Sequence, residues 1–270
     1  MYTEIFDLWP KTPGKCLEKP VIKYYRPKGP KGDGAVVIFP GGGYQFRAPH
    51  EGDGYAEFLA YNGISAFVVE YRVAPHKFPL PLVDARRAVR FVRHNAEKFG
   101  INRDKIAAMG SSAGGHLVSM LCTYREKIDG EKEDAIDNES FLPDKQILCY
   151  PVINLYDENI THIGSGDALV GDSLKDGGDI LMRKKLSANL TADEKTPEAF
   201  IWHTFSDELV DVQNTLQYAT KLRQVGVCAE VHIYPYGRHG LGLADEEGRI
   251  EPHVAAWGEA LIKWIRLLEW

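Results

Sequence analysis

The segment from Ile106 to His116 changes its hydrophobic period in the middle. Ile106 to Met109 is a short apolar run without polar alternation, as in a strand covered on both faces. After it, Leu117, Met120, Leu121 and Tyr124 recur at helical spacing. The join between the two periods is Gly110-Ser111-Ser112-Ala113-Gly114, a G-x-S-x-G sequence. A strand that turns into a helix this abruptly forces its central residue into strained backbone geometry, which only small neighbours tolerate. A glycine-rich turn without chemistry fits the same letters in a chain with 26 glycines. The flanking strand and amphipathic helix supply the structural context that the motif requires, so Ser112 is the candidate nucleophile, held out at a helix N-terminus.

Around this turn the chain reads as alternating strands and helices. Ala35 to Phe39 is a buried strand ending in Pro40-Gly41-Gly42-Gly43-Tyr44, and Tyr55, Phe58, Leu59 and Asn62 mark a helix stopped by Gly63. Ser65 to Val69 is a second buried strand. Leu82, Ala85, Val89, Val92, Ala96 and Phe99 then step by three and four, which predicts one long amphipathic helix closed by Gly100. Further strands are expected at Gln146–Tyr150, Ala199–Trp202 and Ala229–Tyr234. A helix with Val212, Leu216, Ala219 and Leu222 inward separates the last two, and a final helix carries Val254, Trp257, Leu261, Trp264 and Leu268 on one stripe. Before Pro30 the reading is poor: Val21–Tyr25 suits an edge strand leading to turn signals at Pro27, Gly29, Pro30, Gly32 and Gly34. Glu126 to Ser140 reads as a solvated surface excursion, and 155–197, with weak periodicity and the basic patch Arg183-Lys184-Lys185, as a small cap inserted into a single domain spanning 1–270. The alternation implies an α/β fold with a mostly parallel sheet covered on both faces.

A chain of 270 residues with 44% hydrophobic content can bury a full core. Its formal charge of −6 is dispersed, with no basic face to neutralise a row of phosphates, so nucleic acid is not an expected partner. The amino-terminal residues Met1 to Asp7 lack the basic and apolar regions of a signal peptide, and no stretch approaches a membrane span. A soluble cytoplasmic protein without membrane contact is expected. Cys16, Cys122, Cys149 and Cys228 are far apart and suit isolated thiols better than disulfides or a metal site; neither metal nor cofactor is expected.

In open parallel sheets, sites form beyond the carboxyl ends of the strands. The residues found there are Gly41-Gly42-Gly43, Ser112, His203 to Asp207 and Gly237-Arg238-His239-Gly240. A serine hydroxyl needs a base to take its proton. Of nine histidines, His116 lies in a helix, His232 in a strand and His253 at the start of the last helix, whereas His239 sits in a glycine-flanked loop after the last strand. Asp207 can fix the imidazole tautomer, with Glu208 and Asp211 as alternatives, although Asp211 suits a helix cap. The amide of Ala113 and one from Gly42 or Gly43 would form an oxyanion hole. Tyr44, Glu51 and Tyr156, with Gln45, Arg47, His50 and Asp157, follow the strands as aromatic or hydrogen-bonding side chains suited to a sugar ring.

Pro40-Gly41-Gly42-Gly43-Tyr44, Gly110 to His116, Trp202-His203-Thr204 up to Asp207, and Arg238-His239-Gly240-Leu241 together resemble the α/β-hydrolase superfamily, and within it the bacterial acetyl esterase and acetyl xylan esterase branch. The resemblance runs from about Ala35 to the C-terminus. It implies the α/β-hydrolase fold and a cofactor-free serine esterase acting through an acyl-enzyme on short acyl groups of carbohydrates, xylo-oligosaccharides among them. Pro40 stands where the related H-G-G-G pattern has histidine, which leaves open which glycine amide is the donor. The rivals are a peptidase or amidase using the same triad, a ligand-binding protein of this fold that performs no catalysis, and acyl transfer to an alcohol other than water. The sequence leaves the oligomeric state open.

Overall fold

The computed structural model describes residues 3–14, 16–28, 31–128, 132–245 and 248–270. Gly29 and Pro30 of the expected turn lie outside them, as do residues 129–131 of the excursion after Glu126. Eight strands form one sheet: β1 (Glu4–Asp7), β2 (Val21–Tyr25), β3 (Ala35–Phe39), β4 (Ser65–Glu70), β5 (Ile106–Ser111), β6 (Lys145–Cys149), β7 (Glu198–Thr204) and β8 (Ala229–Tyr234). Their spatial order is β1-β2-β4-β3-β5-β6-β7-β8; β2 runs antiparallel to both of its neighbours, β1 and β4, and every other pairing is parallel. Val21–Tyr25 is therefore a strand but not the edge. Glu4–Asp7 pairs outside it, and its four residues alternate between half-buried and exposed with too little apolar content to show as a strand in the sequence.

The helices are α1 (Pro49–Tyr61), α2 (Leu80–His94), α3 (Ala96–Phe99), α4 (Ala113–Thr123), α5 (Ile163–Val170), α6 (Ile180–Lys185), α7 (Ala188–Thr191), α8 (Gln213–Gln224) and α9 (Pro252–Leu267). One face of the sheet packs against α1 and α9 through Tyr55, Leu59, Trp257 and Leu261; the other packs against α2, α4 and α8 through Leu82, Val89, Leu117 and Leu222. Trp202 stacks on Trp257 at 5.0 Å between ring centres. Burying side chains of this size contributes roughly 1.5–3 kcal/mol each.

Three expectations need correction. The long helix ends at His94 and restarts at Ala96, because the Asn95 side chain donates to Phe91 O at 2.8 Å and competes for a helical carbonyl. Helix α8 turns Asn214, Thr215, Tyr218 and Leu222 inward, while Leu216 and Ala219 are only half-buried. The Asn214 side chain is inside because its Oδ1 accepts from the amides of Ile153 and Asn154, both at 2.9 Å. The excursion after Glu126 is anchored: Asp137 is buried with its Oδ2 2.9 Å from Arg87 Nη1, and Asp134 accepts from both ends of the same guanidinium.

Chain order explains where a cleft forms. After β3 the chain pairs β4 on one side and then crosses back to place β5 on the other, so the crevice beyond β3 and β5 is a topological switch point. Phe39 is in register with Gly110, which sets the glycine loop after β3 beside the serine turn after β5.

Candidate active site

Ser112 sits between β5 and α4 with φ 52° and ψ −119°, a left-handed conformation that costs a side-chain-bearing residue about 1–3 kcal/mol. The turn is pinned on both sides: Ser112 N donates to Cys149 O at 3.0 Å, and Val152 and His116 donate to Ser112 O, each at 3.0 Å. Glycine is required around it by close approach. A Cβ on Gly114 would stand 2.0 Å from Phe39 O, and one on Gly110 would stand 2.2 Å from Gly114 O.

The base and acid arrive from the two strands at the far end of the sheet. The hydroxyl of Ser112 is 2.8 Å from His239 Nε2, and His239 Nδ1 is 2.7 Å from Asp207 Oδ2, across sequence separations of 127 and 32 residues. This network is satisfied when Ser112 Oγ–H donates to Nε2 and Nδ1–H donates to Asp207. Asp207 also receives the amides of Leu209 and Val210 on Oδ1, both at 2.9 Å, and His203 Nε2 on Oδ2 at 3.2 Å. Burial opposes ionisation of this carboxyl, but the hydrogen bonds from His203, His239 and Val210 outweigh it and hold Asp207 well below the usual carboxylate range. Asp211, the alternative acid, instead caps α8 by accepting from Gln213 N at 2.7 Å.

On the opposite side of Ser112 lies the loop after β3. Gly42 and Gly43 have φ 125° and 64°, and a Cβ on Gly42 would stand 2.3 Å from Phe46 O. The amide of Gly41 is engaged by Glu51 Oε2 at 2.8 Å, which leaves Gly42 and Gly43 as the donors this loop can present to the cleft. Ala113 contributes the first amide of α4, at the positive end of the helix dipole. The arrangement can activate a hydroxyl for attack on a carbonyl and receive the negative oxygen that results.

A cleft of about 270 Å³ opens over Ser112, walled by Gly43, Phe46, His50, His162, Leu209 and His239. Of the three residues assigned to substrate from the sequence, Glu51 lines the cleft, whereas Tyr44 and Tyr156 do not. Tyr44 is fully buried; its φ of 59° turns the side chain inward, where its hydroxyl lies 2.7 Å from His116 Nδ1. Glu51 reaches the cleft but is 3% exposed, with both oxygens taken by neighbours. Tyr156 stands away from the cleft beside Asn189, with Lys184 Nζ 5.5 Å above its ring. A polar residue after a strand need not face the site, because the turn angles decide its direction.

His162, Phe46 and Leu209 were not singled out from the sequence. His162 comes from the segment between β6 and β7 and bonds Ser165 Oγ at 2.7 Å; burial foremost, then the nearby His239, lowers its imidazole, with Asp207 opposing. No sequence period marks it. His203 did carry a signal, since it lies one residue before the end of β7 and four before Asp207. Among the described residues, no group of three or more His, Cys, Asp or Glu side chains is placed to hold a metal ion, and no helix is long and apolar enough to cross a membrane.

A family model for BD-FAE matches residues 22–222. The chain belongs to the BD-FAE family. This BD-FAE chain is 34% identical over 218 residues to endo-1,4-beta-xylanase B of Butyrivibrio fibrisolvens, covering 78% of the chain and 33% of that protein. It is 34% identical over 222 residues to the acetylxylan esterase of Xylanibacter ruminicola, covering 81% and 43%. The chain thus spans between a third and less than half the length of these curated relatives. Among solved structures, the acetyl ester-xyloside bifunctional hydrolase from Caldicellulosiruptor lactoaceticus superposes with a TM-score of 0.89 at 38% identity, over 98% of this chain and 96% of that one. MGS-M1, an α/β hydrolase from a deep-sea metagenome library, superposes with a TM-score of 0.70 at 28% identity, over 93% and 92%. With the eight-stranded, mostly parallel sheet, these matches give the BD-FAE chain the α/β-hydrolase fold, as the resemblance in its motifs implies.

Proposed function

We propose that this protein is a serine carboxylic-ester hydrolase that removes acetyl groups from acetylated sugars such as xylo-oligosaccharides. The observation that carries the reading is the continuous relay from Ser112 through His239 to Asp207 beside the Gly42, Gly43 and Ala113 amides. Ser112 Oγ attacks the ester carbonyl carbon while its proton passes to His239 Nε2, and the oxyanion is received by the backbone amides. Collapse breaks the carbon–oxygen bond to the sugar, which leaves with the proton from Nε2. Water then gives a proton to Nε2, attacks the acetyl-enzyme and releases acetate and free Ser112. Every atom in both half-reactions comes from the ester, water and these residues, so the cycle runs without a cofactor.

The sugar part of the reading is supported by the relatives: an acetylxylan esterase, a xylanase and an acetyl ester-xyloside hydrolase. A non-catalytic binder is disfavoured by Ser112 itself, since a strained backbone aimed at a paired imidazole has no use in binding alone. The dispersed charge of −6 favours a small-molecule partner over nucleic acid. We read the chain as one domain in which 155–197 forms a cap that contributes His162 to the cleft. Cys16, Cys122, Cys149 and Cys228 are free, which suits a cytoplasmic setting and oligosaccharides small enough to be imported.

The test is a screen of the purified protein against acetylated xylo-oligosaccharide, 4-nitrophenyl acetate and aminoacyl amides, reading acetate, nitrophenol or amine. Acetate release with the highest kcat/KM on the sugar supports the reading. Amine release in its place assigns a peptidase or amidase, transfer to an added alcohol an acyltransferase, and silence on every substrate a binder.

A further inference from the structure

We infer that Glu51 is a positioning residue, a buried carboxylate that holds the oxyanion loop and the base loop in register across Ser112. The inference rests on the esterase reading above. Glu51 lies in the first turn of α1 and is 3% exposed. Its Oε2 accepts from Gly41 N at 2.8 Å, and its Oε1 accepts from the Tyr150 hydroxyl at 2.7 Å. That hydroxyl is in turn the acceptor for Gly242 N at 3.0 Å. One carboxylate and one phenol therefore join the residue before Gly42 to the loop that carries His239. His50 reinforces the join: its Nε2 donates to Gly240 O at 3.0 Å and stands 3.8 Å from Glu51 Oε1.

The chemistry of these contacts selects a carboxylate. Both partners of Glu51 are donors, and an ionised carboxylate is the one side chain that offers two acceptor oxygens and no donor. Glutamine at this place has a single acceptor oxygen, so either Gly41 N–H or the Tyr150 O–H loses its partner in a buried site. Burial raises the Tyr150 phenol well above its usual range, which keeps its proton in place to donate. Tyr150 also touches the base directly, its ring centre 5.0 Å from that of His239 in an edge-on contact. Its backbone φ of 36° lies in the left-handed region, costly for an aromatic residue. The network continues through Tyr55, 3.2 Å from the Tyr150 oxygen, to Ser111 Oγ at 3.0 Å from the Tyr55 hydroxyl.

Oxyanion donors and general base must converge on the same reacting atoms, and displacement by about 1 Å costs roughly a hundredfold in rate. The experiment compares wild type, Glu51→Gln, Tyr150→Phe and the double variant. Active sites are titrated with a fluorophosphonate, and kcat and KM for 4-nitrophenyl acetate are expressed per labelled site. Glu51→Gln is expected to lower kcat about a hundredfold with little change in KM, and Tyr150→Phe to lower it less. The double variant should fall well short of the product of the two, because both interrupt one connection. A wild-type kcat per labelled site in both variants, with the loss confined to Tm or yield, overturns the inference and leaves Glu51 a support of the fold. Should Glu51→Gln not fold, Tyr150→Phe decides, since it removes one oxygen and keeps the ring. A wild type that neither hydrolyses the ester nor takes the label fails the esterase reading itself, and this inference with it.

Discussion

His203 Nε2 lies 3.2 Å from Asp207 Oδ2, the oxygen that also faces His239 Nδ1 at 2.7 Å. The same Nε2–H is shared with Val210 O at 3.0 Å, and Thr215 Oγ1 lies 2.9 Å from Nδ1, so His203 is fixed as a donor to the acid. Asp207 is held well below the usual carboxylate range: burial opposes its charge, and the hydrogen bonds from His203 and His239 outweigh that cost. With its folded value depressed, its contribution to stability is complete above the unfolded value of about 3.9 and is lost as pH falls below it. His203→Phe, which keeps a ring and removes the donor, is expected to lower kcat/KM about tenfold. Asp207→Asn should cost on the order of 10⁴-fold through the wrong tautomer. Kinetics of the two variants side by side check the ranking; equal losses would place His203 in the relay itself.

Ser112→Ala is expected to fold normally and to keep only the turnover that binding and the oxyanion donors provide. Adding His239→Ala to it should change almost nothing, because the residues act as one unit. A fluorophosphonate should modify Ser112 alone, as Ser111 Oγ is buried and donates to the Tyr55 hydroxyl. Peptide mapping that finds the adduct on Ser111 contradicts the register of the turn.

Gly114→Ala tests how tightly the nucleophile turn leans on the glycine loop. The added methyl would meet Phe39 O at 2.0 Å and Pro40 O at 2.7 Å, both backbone atoms of the chain leading to Gly42. Loss of more than about 4 kcal/mol of stability is expected, or an insoluble protein, from overpacking against backbone that cannot yield. Chemical denaturation measures it; a change below about 1 kcal/mol shows that the two segments can part.

The relay was legible in the sequence because chain order and strand ends together restrict which polar residues meet. Ser112 and Asp207 follow buried strands and His239 follows the half-buried edge strand β8, and parallel strands put all such ends on one edge. Direction within that edge was not legible. Tyr44 follows a strand yet turns into the core through a left-handed φ, and Glu51 lies beneath the cleft. The face of α8 was misread for a related reason: hydropathy ranks Leu216 above Asn214, but only Asn214 satisfies the amides of Ile153 and Asn154. Buried polar groups are placed by their partners, which a period cannot reveal.

His116 makes a prediction about acid. Its Nδ1 is 2.7 Å from the Tyr44 hydroxyl and its Nε2 is 2.9 Å from Leu186 O, so the neutral ring donates once and accepts once. Burial, against a smaller opposing effect of Leu186 O, pushes the imidazole from 6.5 down to about 4. Between those values the unfolded chain binds a proton that the folded chain refuses, so stability falls as pH falls, by about 3 kcal/mol in total. His116→Gln, which can still donate and accept, should be less stable near neutrality and show a flatter decline from pH 6.5 to 4. Urea midpoints across that range decide; an unchanged slope means that another group titrates.

The last prediction concerns the acyl group. A cleft of about 270 Å³ is at the small end for ligand sites, and it is bounded by elements that cannot easily withdraw. Gly42 is in contact with the Phe46 backbone, Ala48 N is tied to Gly41 O at 3.0 Å, and His50 is held by Gly240 O. An acetyl group fits beside Ser112 without displacing any of these. An octanoyl chain is expected to run out of the cleft along Phe46 and Leu209, the large apolar residues of its wall, which are 61% and 53% exposed and offer apolar contact on one side only. At roughly 1 kcal/mol or more for each methylene that finds no pocket, kcat/KM for 4-nitrophenyl acetate should exceed that for the octanoate by at least about tenfold. The same exposed Phe46 is free to meet a sugar ring on the alcohol side, so Phe46→Ala should lower kcat/KM for acetylated xylo-oligosaccharide more than for the nitrophenyl ester. An octanoate preference, or equal losses on both acetates, would mean that the open wall binds acyl chains and that the enzyme is not selective for the sugar.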